Sequence, residues 1–517
     1  MSIEVIPPTA GVRRTLIVLS GMGGSAVYEF TWSIAGVGLP HMQGSFSATP
    51  DQIAWVMTAF IMGTVITIAS TGWLSARFGV KRVYLTSIAG FGVSLIMCGI
   101  ATTLQEEIVW RLVQGVFGAT LLPLGQSIVV AAYPPDRHGA ATAIWSIGII
   151  GGGIMGPVIG GGVVEFMSWP WMFFLNLPIA IVAFFVALAV LPDTKPDPGI
   201  HLDGFGLTTI IIAATAFQIV FGRGERLDWF SSDEIIIECS IGVLALYLFI
   251  VHSLTTARPF FRPALFRDRN YSLGLIAAFF NGAIAALPLV ILPLMLQQMA
   301  GYPALEAGIL LFPRGVGLVI VSMVLARYDR HLPQRYVLLV GLAMSFASGY
   351  VMIGWTADVS ATEVIWVNLV QGAGSSAMFI AINTLTFSTL KAELKTEGFA
   401  LYYTVLFTGA TIGIAVIVAV LTRMTQVATS VVGAHINPYN ERFRLLNLPE
   451  IWDYTETVGL ATLQQEVAVQ AQMIGYSDSF FAAAVISLVA LPLAFLFRDP
   501  TPEQSTGDRE KAVEAAN

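Results

Sequence analysis

The chain has 517 residues, of which 56% are hydrophobic and 11% are charged, and its mean hydropathy is +0.75. A soluble globular protein carries roughly 25% charged residues, so this composition excludes an ordinary soluble domain and indicates a membrane protein with many spans. The net charge of −7, without a Lys/Arg-rich block, gives no support to nucleic-acid binding. Cys98 and Cys239 lie inside apolar runs and the histidines are scattered, so neither a disulfide framework nor a metal site is expected.

Apolar runs long enough to cross a bilayer as a helix, about 20 residues each, recur about fourteen times. In chain order, the predicted spans are 15–39, 51–74, 83–103, 108–132, 139–164, 171–191, 204–221, 235–254, 272–297, 304–326, 336–356, 364–390, 399–421 and 479–497. Arg13 and Arg14 precede a first run that is long enough to remain as a span, so a cleavable signal peptide is not expected.

The positions of the basic residues predict the orientation of the chain. If the N-terminus is cytoplasmic, most of the 26 Lys and Arg residues fall in cytoplasmic segments, and Arg111 and Arg314 lie within spans. The positive-inside rule therefore places both termini in the cytoplasm, which requires an even number of spans. The basic residues of the outside segments are Arg223, Arg226, Arg423, Arg442 and Arg444.

Three polar segments interrupt or follow this pattern. Segment 426–478 is too polar to span, is longer than an ordinary connection, and contains a helix-like stretch at 464–473, so it is predicted to form an extracytoplasmic segment. The basic, proline-containing segment 258–269 is expected to lie along the inner membrane surface. The polar tail 501–517 is expected to be disordered in the cytoplasm.

The sequence contains an internal repeat. Residues 110–127 read WRLVQGVFGATLLPLGQS, and residues 366–384 read WVNLVQGAGSSAMFIAINT, with Asn368 at the position of Arg111. At a similar offset, LSARFGVKR at 74–82 resembles LARYDRHLPQR at 325–335. The repeat predicts an all-α polytopic membrane protein with two six-helix halves and an inserted helix pair. The predicted units are an N-terminal bundle 1–192, an inserted pair and linker 193–271, a C-terminal bundle 272–500, and the tail 501–517.

Four motifs carry a resemblance to a known family. They are GWLSARFGVKR at 72–82, Arg111 followed by Gln114-Gly115, GIIGGGIMGPVIGGG at 148–162 and GERLDWF at 224–230. Together with fourteen spans, they resemble the major facilitator superfamily, and within it the EmrB-type multidrug exporters of the 14-span drug:proton antiporter branch.

The resemblance implies the major facilitator fold with 14 transmembrane helices and proton-coupled efflux of amphipathic drugs or other hydrophobic compounds by alternating access. It also implies a bacterial inner-membrane location, the proton motive force in place of any cofactor, and a periplasmic adaptor subunit with an outer-membrane channel as partners. Two positions depart from the pattern. Ala76 stands where the loop motif usually has aspartate, and Thr31 stands where the branch usually has a first-span aspartate.

Glu29 is the acid that lies deepest within a predicted span, whereas Asp51, Glu165 and Glu306 lie near span ends. It is two residues before Thr31, which places it roughly 200° around the helix from that position. An acid in an apolar span with a cation nearby could bind and release a proton on alternate sides of the membrane. The alternative is an ionised Glu29 that joins two helices through a salt bridge.

Two arginines are candidates for the cation. Arg111 is interpreted either as a group that tunes Glu29 in proton coupling or as a clamp for backbone carbonyls. Arg314 lies in the middle of its span and could bind an anionic substrate group, pair with Glu29, or make only a local pair.

Two groups of residues are assigned to conformational gating. Gly148, Gly152, Gly156 and Gly160 have small-xxx-small spacing, and Pro157 bends the helix. These residues either seal the two halves, with Gly152, Gly156 and Pro157 as the hinge and Gly409 and Gly413 as the counterpart, or only pack helices. The residues expected to latch the cytoplasmic side are Gly72, Arg77, Gly79 and Lys81.

Polar and aromatic side chains within the spans are candidates for lining a central substrate-binding cavity, although each could instead be an ordinary helix contact. They are Trp32, Gln126, Asn281, Gln298, Arg314, Gln371 and Asn383.

The sequence favours an exporter of amphipathic compounds over three other classes. The same fold could export an endogenous lipid, fatty acid or siderophore, and a non-transporting membrane receptor or sensor is a further alternative. A membrane enzyme is disfavoured, since the sequence has no His/Cys/Asp metal spacing, nucleophile elbow or Walker loop.

Overall fold

The computed structural model describes residues 11–133, 138–193, 199, 202–257, 259–328, 332–391, 394–436 and 457–498. Within these ranges the chain is almost entirely helical and contains no strand, so the predicted all-α fold class is confirmed. A helix satisfies its backbone polar groups internally, which a lipid interior requires because it offers no water. The predicted tail 501–517 and the middle of the predicted extracytoplasmic segment, 437–456, lie outside the described residues.

In the described part of the first half, the chain forms nine helices. They are α1 Val12–Ser45, α2 Pro50–Ile68, α3 Thr71–Phe78, α4 Val80–Ile100, α5 Leu104–Gly118, α6 Leu121–Ala131, α7 His138–Phe166, α8 Trp171–Phe174 and α9 Leu177–Val190. Three predicted spans of this half, 51–74, 108–132 and 171–191, are each divided between two consecutive helices, which are α2 with α3, α5 with α6, and α8 with α9.

The inserted pair consists of α10 Gly204–Arg223 and α11 Asp233–Thr255, with a 3-10 turn at Trp229–Ser231 between them and another at Pro263–Arg267 after them. The second half consists of α12 Arg269–Gln298, α13 Ala304–Tyr328, α14 Gln334–Ile353, α15 Ala361–Ser388, α16 Lys395–His435, α17 Thr457–Ala490 and α18 Leu493–Leu496.

Twelve helical segments within the described ranges are long and apolar enough to cross a membrane. Helices α1 and α7 are not among these twelve, although they have 34 and 29 residues and correspond to the predicted first and fifth spans. The total of fourteen spans therefore stays a prediction.

Large apolar side chains cover the outside of the bundle. Phe185 is 61% exposed, Tyr247 61% and Met323 69%. In water such a surface would aggregate, so the outward-facing side chains fit a lipid environment.

Helices α16 and α17 extend well beyond the thickness of a bilayer. Helix α16 has 41 residues, which corresponds to about 60 Å of helix against about 30 Å of hydrocarbon. Helix α17 begins at Thr457 and has 34 residues, so the helical prediction for 464–473 is confirmed. The parts of α16 and α17 nearest to 437–456 form a two-helix projection.

The internal repeat is visible in the way the helices cross. In the first half, Gly115 packs on the backbone of Phe60, and Gly63 packs on the backbone of Leu112, so α5 and α2 are in direct backbone contact. The second half repeats this crossing between α15 and α13, where Gly372 packs on the backbone of Arg314 and Gly317 on that of Leu369. The glycine of each VQG motif therefore serves the same close crossing of two helices, as expected where small residues let helices approach in a membrane.

A second pair of crossings also follows the repeat. The small-residue stripe of α7 packs on α1 within the first half, where Gly152 meets the backbone of Ala26 and Gly156 meets Ser33. The hydroxyl of Ser33 donates a hydrogen bond to the Gly153 carbonyl at 2.6 Å. In the second half, Gly409 and Gly413 of α16 pack on α12 in the same way.

Within the described residues, the close backbone contacts between the two halves lie toward one end of the bundle. We call this the Pro50 end, where α2 begins, and the opposite end, where α3 meets α4, the Gly79 end. Near the Pro50 end, Gly161 packs on the backbone of Ala304. Gly308 packs on that of Pro157. One apolar cluster runs through both halves there, and it contains Ile34, Val290, Leu310 and Ile414.

The core of the second half near the Gly79 end is separate. Its apolar cluster contains Leu338, Leu385 and Tyr402, and Ala69 is its only buried member from the first half within the described ranges. The inner faces of the halves are therefore closed off toward the Pro50 end and parted toward the Gly79 end.

The close crossing of α2 and α5 predicts a stability difference between two helix glycines. Gly115→Ala should destabilise the protein by about 1–3 kcal/mol, since the added carbon overlaps the backbone of Phe60. Gly151→Ala is the matched control, because nothing lies within 4 Å of the added carbon. It should be neutral or stabilise by about 0.5–1 kcal/mol. Thermal unfolding in detergent measures both, and equal melting temperatures would show that the crossing is not tightly packed.

Candidate functional site

Glu29 lies on α1 and is partly exposed, so its carboxylate is not sealed in the core of the first half. It is close enough to Tyr403, on α16 of the second half, for the two groups to interact electrostatically. Glu29 therefore faces the space between the halves. No basic side chain of the described residues interacts with its carboxylate. The structure does not bring Arg111 or Arg314 to Glu29, although the sequence analysis considered both as partners.

Thr31, the position where the related branch has an acid, points in a different direction from Glu29. It is fully buried, and its hydroxyl donates to the Val27 carbonyl at 2.7 Å. The amide of Asn176, at the junction of α8 and α9, donates to the Thr31 hydroxyl and to the Val27 carbonyl. Position 31 thus belongs to packing inside the first half, and Glu29 does not replace it geometrically.

Arg111 is completely buried on α5. Its Nε donates to the Val56 carbonyl at 3.1 Å and its Nη1 donates to Gln114 Oε1 at 2.6 Å. The guanidinium carbon also lies 4.7 Å from the centre of the Phe60 ring and 5.7 Å from that of Phe173. These contacts combine the carbonyl clamp considered from the sequence with two cation–π interactions.

Glu107 is a buried acid that the sequence analysis did not select. It is fully buried one helical turn before Arg111, and the two side chains interact electrostatically. Its carboxylate oxygens have no hydrogen-bond partner within the described ranges other than the neighbouring Cys98 thiol. The signal available in the sequence was the i, i+4 spacing of an acid and an arginine, which puts both on one helix face.

Arg314 has a different environment in the second half. It lies on α13 and is partly exposed. Its Nε donates to Gln371 Oε1 at 2.6 Å and its Nη2 donates to the Ala285 carbonyl at 2.7 Å. No acid within the described ranges interacts with it.

The glutamine of each VQG motif therefore accepts a hydrogen bond from a guanidinium. In the first half the arginine comes from the same helix as Gln114, and in the second half it comes from the neighbouring helix to reach Gln371. Asn368, at the repeat position of Arg111, bonds only its own helix, through the Val364 carbonyl at 3.0 Å.

The other residues predicted to line the cavity differ in how deeply they are buried. Trp32 is partly buried and stacks on Phe60 at 6.0 Å, so a single ring separates it from Arg111. Gln126 and Asn383 are also partly buried, whereas Asn281 is only 3% exposed.

Gln298 lies apart from the others, at the Pro50 end. Its amide donates to Gln43 Oε1 at 2.8 Å, and both residues line a cavity of about 790 Å³. The structure does not bring Gln298 to the inner faces where Trp32 and Arg314 lie.

The cavity at the Pro50 end is covered by the connection of the inserted pair. Its lining includes Glu225, Arg226 and Asp228 from this connection. Glu225 lies 3.8 Å from Arg423 of α16, and Gly222 packs on Trp55 of α2. The inserted pair thus touches both halves at the end where they are closed.

The predicted gating residues occupy several kinds of position. Gly79 joins α3 to α4 with φ +88°, a conformation that favours glycine, and Lys81 lies 3.7 Å from Asp193. Gly72 is exposed and Arg77 is partly buried on α3. Of the α7 residues, Gly152 and Gly156 pack within the first half, whereas the Pro157 backbone contacts Gly308 of the second half.

These features define a class of protein. Long helices with an apolar exterior form two repeated halves, whose inner faces carry isolated charges and are parted at one end only, which is the architecture of a polytopic membrane transporter. Residues 21–417 match the family model described as Major Facilitator Superfamily. The chain therefore belongs to the major facilitator superfamily, and the resemblance stated from the motifs is confirmed.

The sequence similarity to named relatives extends over nearly the whole chain. The chain is 29% identical over 501 residues to the fatty acid resistance protein FarB of Neisseria gonorrhoeae, a match that covers 96% of this chain and 98% of that protein. It is also 29% identical over 507 residues to the multidrug export protein EmrB of Haemophilus influenzae, with 96% and 98% covered.

Solved structures of low sequence identity share the fold. A bacterial homologue of the human lysosomal transporter Spinster, in an inward-facing and unoccupied conformation, superposes with a TM-score of 0.63 at 15% identity, covering 94% of this chain and 97% of that chain. A peptide transporter, POT, superposes with a TM-score of 0.62 at 17% identity, covering 95% and 98%.

The burial of Glu107 one helical turn from Arg111, with which it interacts electrostatically, predicts a rescue experiment. Arg111→Met should cost about 3–5 kcal/mol because it leaves the Glu107 carboxylate buried and uncompensated. The double variant Arg111→Met with Glu107→Leu should recover most of this loss. The fraction of monodisperse protein in detergent and its melting temperature measure the effect.

Arg223→Met is the control for this experiment. Arg223 pairs with Glu234 at 2.6 Å and Glu238 at 3.2 Å but is partly exposed, so its loss should cost about 1 kcal/mol or less. A double variant as damaged as the single one would contradict the pairing.

Proposed function

We propose that this protein exports amphipathic, mostly apolar compounds across a membrane in exchange for protons. The single observation that carries the proposal is the placement of Glu29. It is an acid on the inner face of α1, partly exposed toward the second half and without a basic partner within the described ranges. Such a group can exchange a proton with whichever side of the membrane the inner faces open toward.

Alternating access supplies the coupling. The two halves are in contact near the Pro50 end and parted near the Gly79 end, which corresponds to one of the two states that a rocking-bundle cycle requires. In the other state Glu29 would be accessible from the Pro50 end. A proton that moves through 100 mV supplies about 2.3 kcal/mol, enough to drive moderate accumulation of a substrate.

The distribution of basic residues supports an orientation. It favours the Gly79 end as the cytoplasmic end, both termini in the cytoplasm, and the bacterial inner membrane as the location. Lys81 and Arg262 lie at this end, where Arg262 pairs with Glu397 at 2.9 Å. The coupling needs no cofactor other than the proton motive force.

The two-helix projection supports an adaptor as partner. Val431 and Leu460 on it are 53% and 51% exposed, which provides apolar contact points beyond the membrane. We propose that a periplasmic adaptor subunit, leading to an outer-membrane channel, binds there.

A second candidate function is export of an endogenous lipid or fatty acid. Arg314 favours it, because a partly exposed guanidinium without an acidic partner suits an acidic headgroup. The designation of the relative FarB as a fatty acid resistance protein agrees with this candidate.

Glu29→Gln should abolish proton-driven export, because the amide cannot carry a proton between compartments. Purified protein in vesicles with an imposed pH gradient should accumulate a fluorescent amphipathic dye, and the variant should not, while its affinity for the dye stays within about twofold. Unchanged accumulation by the variant would refute the role of Glu29.

Glu234→Gln is the matched control, since Glu234 is 49% exposed at the start of α11 and far from the inner faces, and it should transport normally. The same vesicles also test the receptor or sensor alternative. Dye binding by the wild type without any proton movement or accumulation would favour that alternative.

A further inference from the structure

We propose that Arg314 binds the carboxylate of an acidic amphiphile, and that such single-chain acids are a substrate class of this protein. The inference rests on the proposed function, because it names the substrate of the same inner space. Arg111 and Arg314 bond the equivalent glutamines of the repeat, Gln114 and Gln371, but differ in their other partners.

The guanidinium of Arg314 is held from two sides. Gln371 on α15 accepts from Nε at 2.6 Å, and the Ala285 carbonyl on α12 accepts from Nη2 at 2.7 Å. These two bonds fix the plane of the group. The remaining N–H donors, on Nη1 and Nη2, have no acceptor within the described ranges. A fixed plane with free donors matches the geometry of a carboxylate that accepts two parallel hydrogen bonds.

No acid among the described residues compensates the charge of Arg314. Arg111 in the first half is fully buried and has Glu107 one turn away on its own helix. Arg314 has no acid that interacts with it in the described part of the chain, and Glu29 is not among its electrostatic partners. Since a guanidinium keeps its charge, an anion that enters the space would neutralise a group that otherwise depends on water.

Arg314 lies where the space between the two halves is closed toward the Pro50 end. On the Pro50 side of Arg314 the two halves are in direct contact, because Gly308 of α13 packs on the backbone of Pro157 of α7 and Gly36 of α1 packs on the backbone of Leu289. Arg314 itself is partly exposed. A ligand that enters from the Gly79 end would therefore place its headgroup at Arg314.

Apolar side chains extend from this point along the inner face. Tyr403 and Phe407 of α16 stack at 6.4 Å, both are partly buried, and Tyr403 faces Glu29 across the space between the halves. A hydrocarbon chain can lie against these rings while its headgroup lies at Arg314. Glu29 remains free to carry the proton, because it and Arg314 do not neutralise each other.

The test compares three single-chain ligands of similar chain length whose headgroups are anionic, neutral and cationic. Binding of radiolabelled dodecanoate, dodecanol and dodecyltrimethylammonium is measured on the full-length protein in lipid nanodiscs. Arg314→Gln should weaken dodecanoate about tenfold or more, as expected for lost charge-assisted hydrogen bonds, and leave dodecanol within about twofold. Arg314→Lys keeps the charge but loses the two parallel N–H donors of the guanidinium, so its dodecanoate affinity should lie between those of the wild type and Arg314→Gln.

Arg423→Gln is the matched control, since Arg423 is an arginine of the second half that contacts Glu225 of the inserted pair at the Pro50 end and is 60% exposed. It should not change dodecanoate binding. A parallel loss of all three ligands in Arg314→Gln and Arg314→Lys would overturn the inference and make Arg314 a clamp of α12, α13 and α15. Unchanged dodecanoate binding would overturn it as well. If Arg314→Gln does not fold, the ratio of dodecanoate to dodecanol affinity in Arg314→Lys decides the question.

Proton-driven dye uptake in the same preparation separates this inference from the proposed function. If proton-driven dye uptake is normal but substitutions of Arg314 leave the affinity for dodecanoate unchanged, the inference is wrong and the proposed function stands. Selective loss of carboxylate binding in a protein that never couples transport to protons would remove the proposed function and leave the anion site.

Discussion

The cost of an unneutralised charge in an apolar bundle is the constraint on which this structure depends. A charged side chain that faces hydrocarbon costs on the order of 3 kcal/mol or more. Each charged side chain within the spans therefore lies in an environment that keeps it away from lipid. Arg111 is sealed with carbonyl, amide and aromatic partners and interacts electrostatically with Glu107 one helical turn away. Glu29 and Arg314 remain partly exposed on opposite inner faces. The charge of Arg111 is therefore inaccessible, whereas Glu29 and Arg314 are accessible from the space between the halves.

Glycine packing provides the frame that holds these charges apart. The two halves use the same backbone crossings, with Gly115 on α2 and Gly372 on α13, yet the side chains on those crossings have diverged. The first half combines a neutralised arginine with an acid on its inner face, and the second half has an arginine without an acid. This repeated backbone with unequal charges is the basis of our proposal that one half handles the proton and the other binds the substrate.

Particular residues show how far sequence reasoning reached. The helical fold, the repeat and the family followed from hydropathy and motifs, because apolar length and residue spacing are local properties. Glu107 was missed since it lies at the edge of an apolar run, where sequence gives no measure of burial. Gln298 was grouped with the inner faces although it bonds Gln43 at the Pro50 end, because a helical position does not define its neighbours on other helices.

By itself, the sequence determined that the chain is a doubled, helical membrane protein with charges inside its spans, since the bilayer permits little else for such a composition. Only the tertiary structure decided which charges meet. It buried Arg111 and Glu107 and kept Glu29 away from both arginines, because burial and the distances between helices depend on how helices distant in sequence rotate and cross. It also decided that the halves are parted at the Gly79 end, a property of packing between halves that no local pattern encodes.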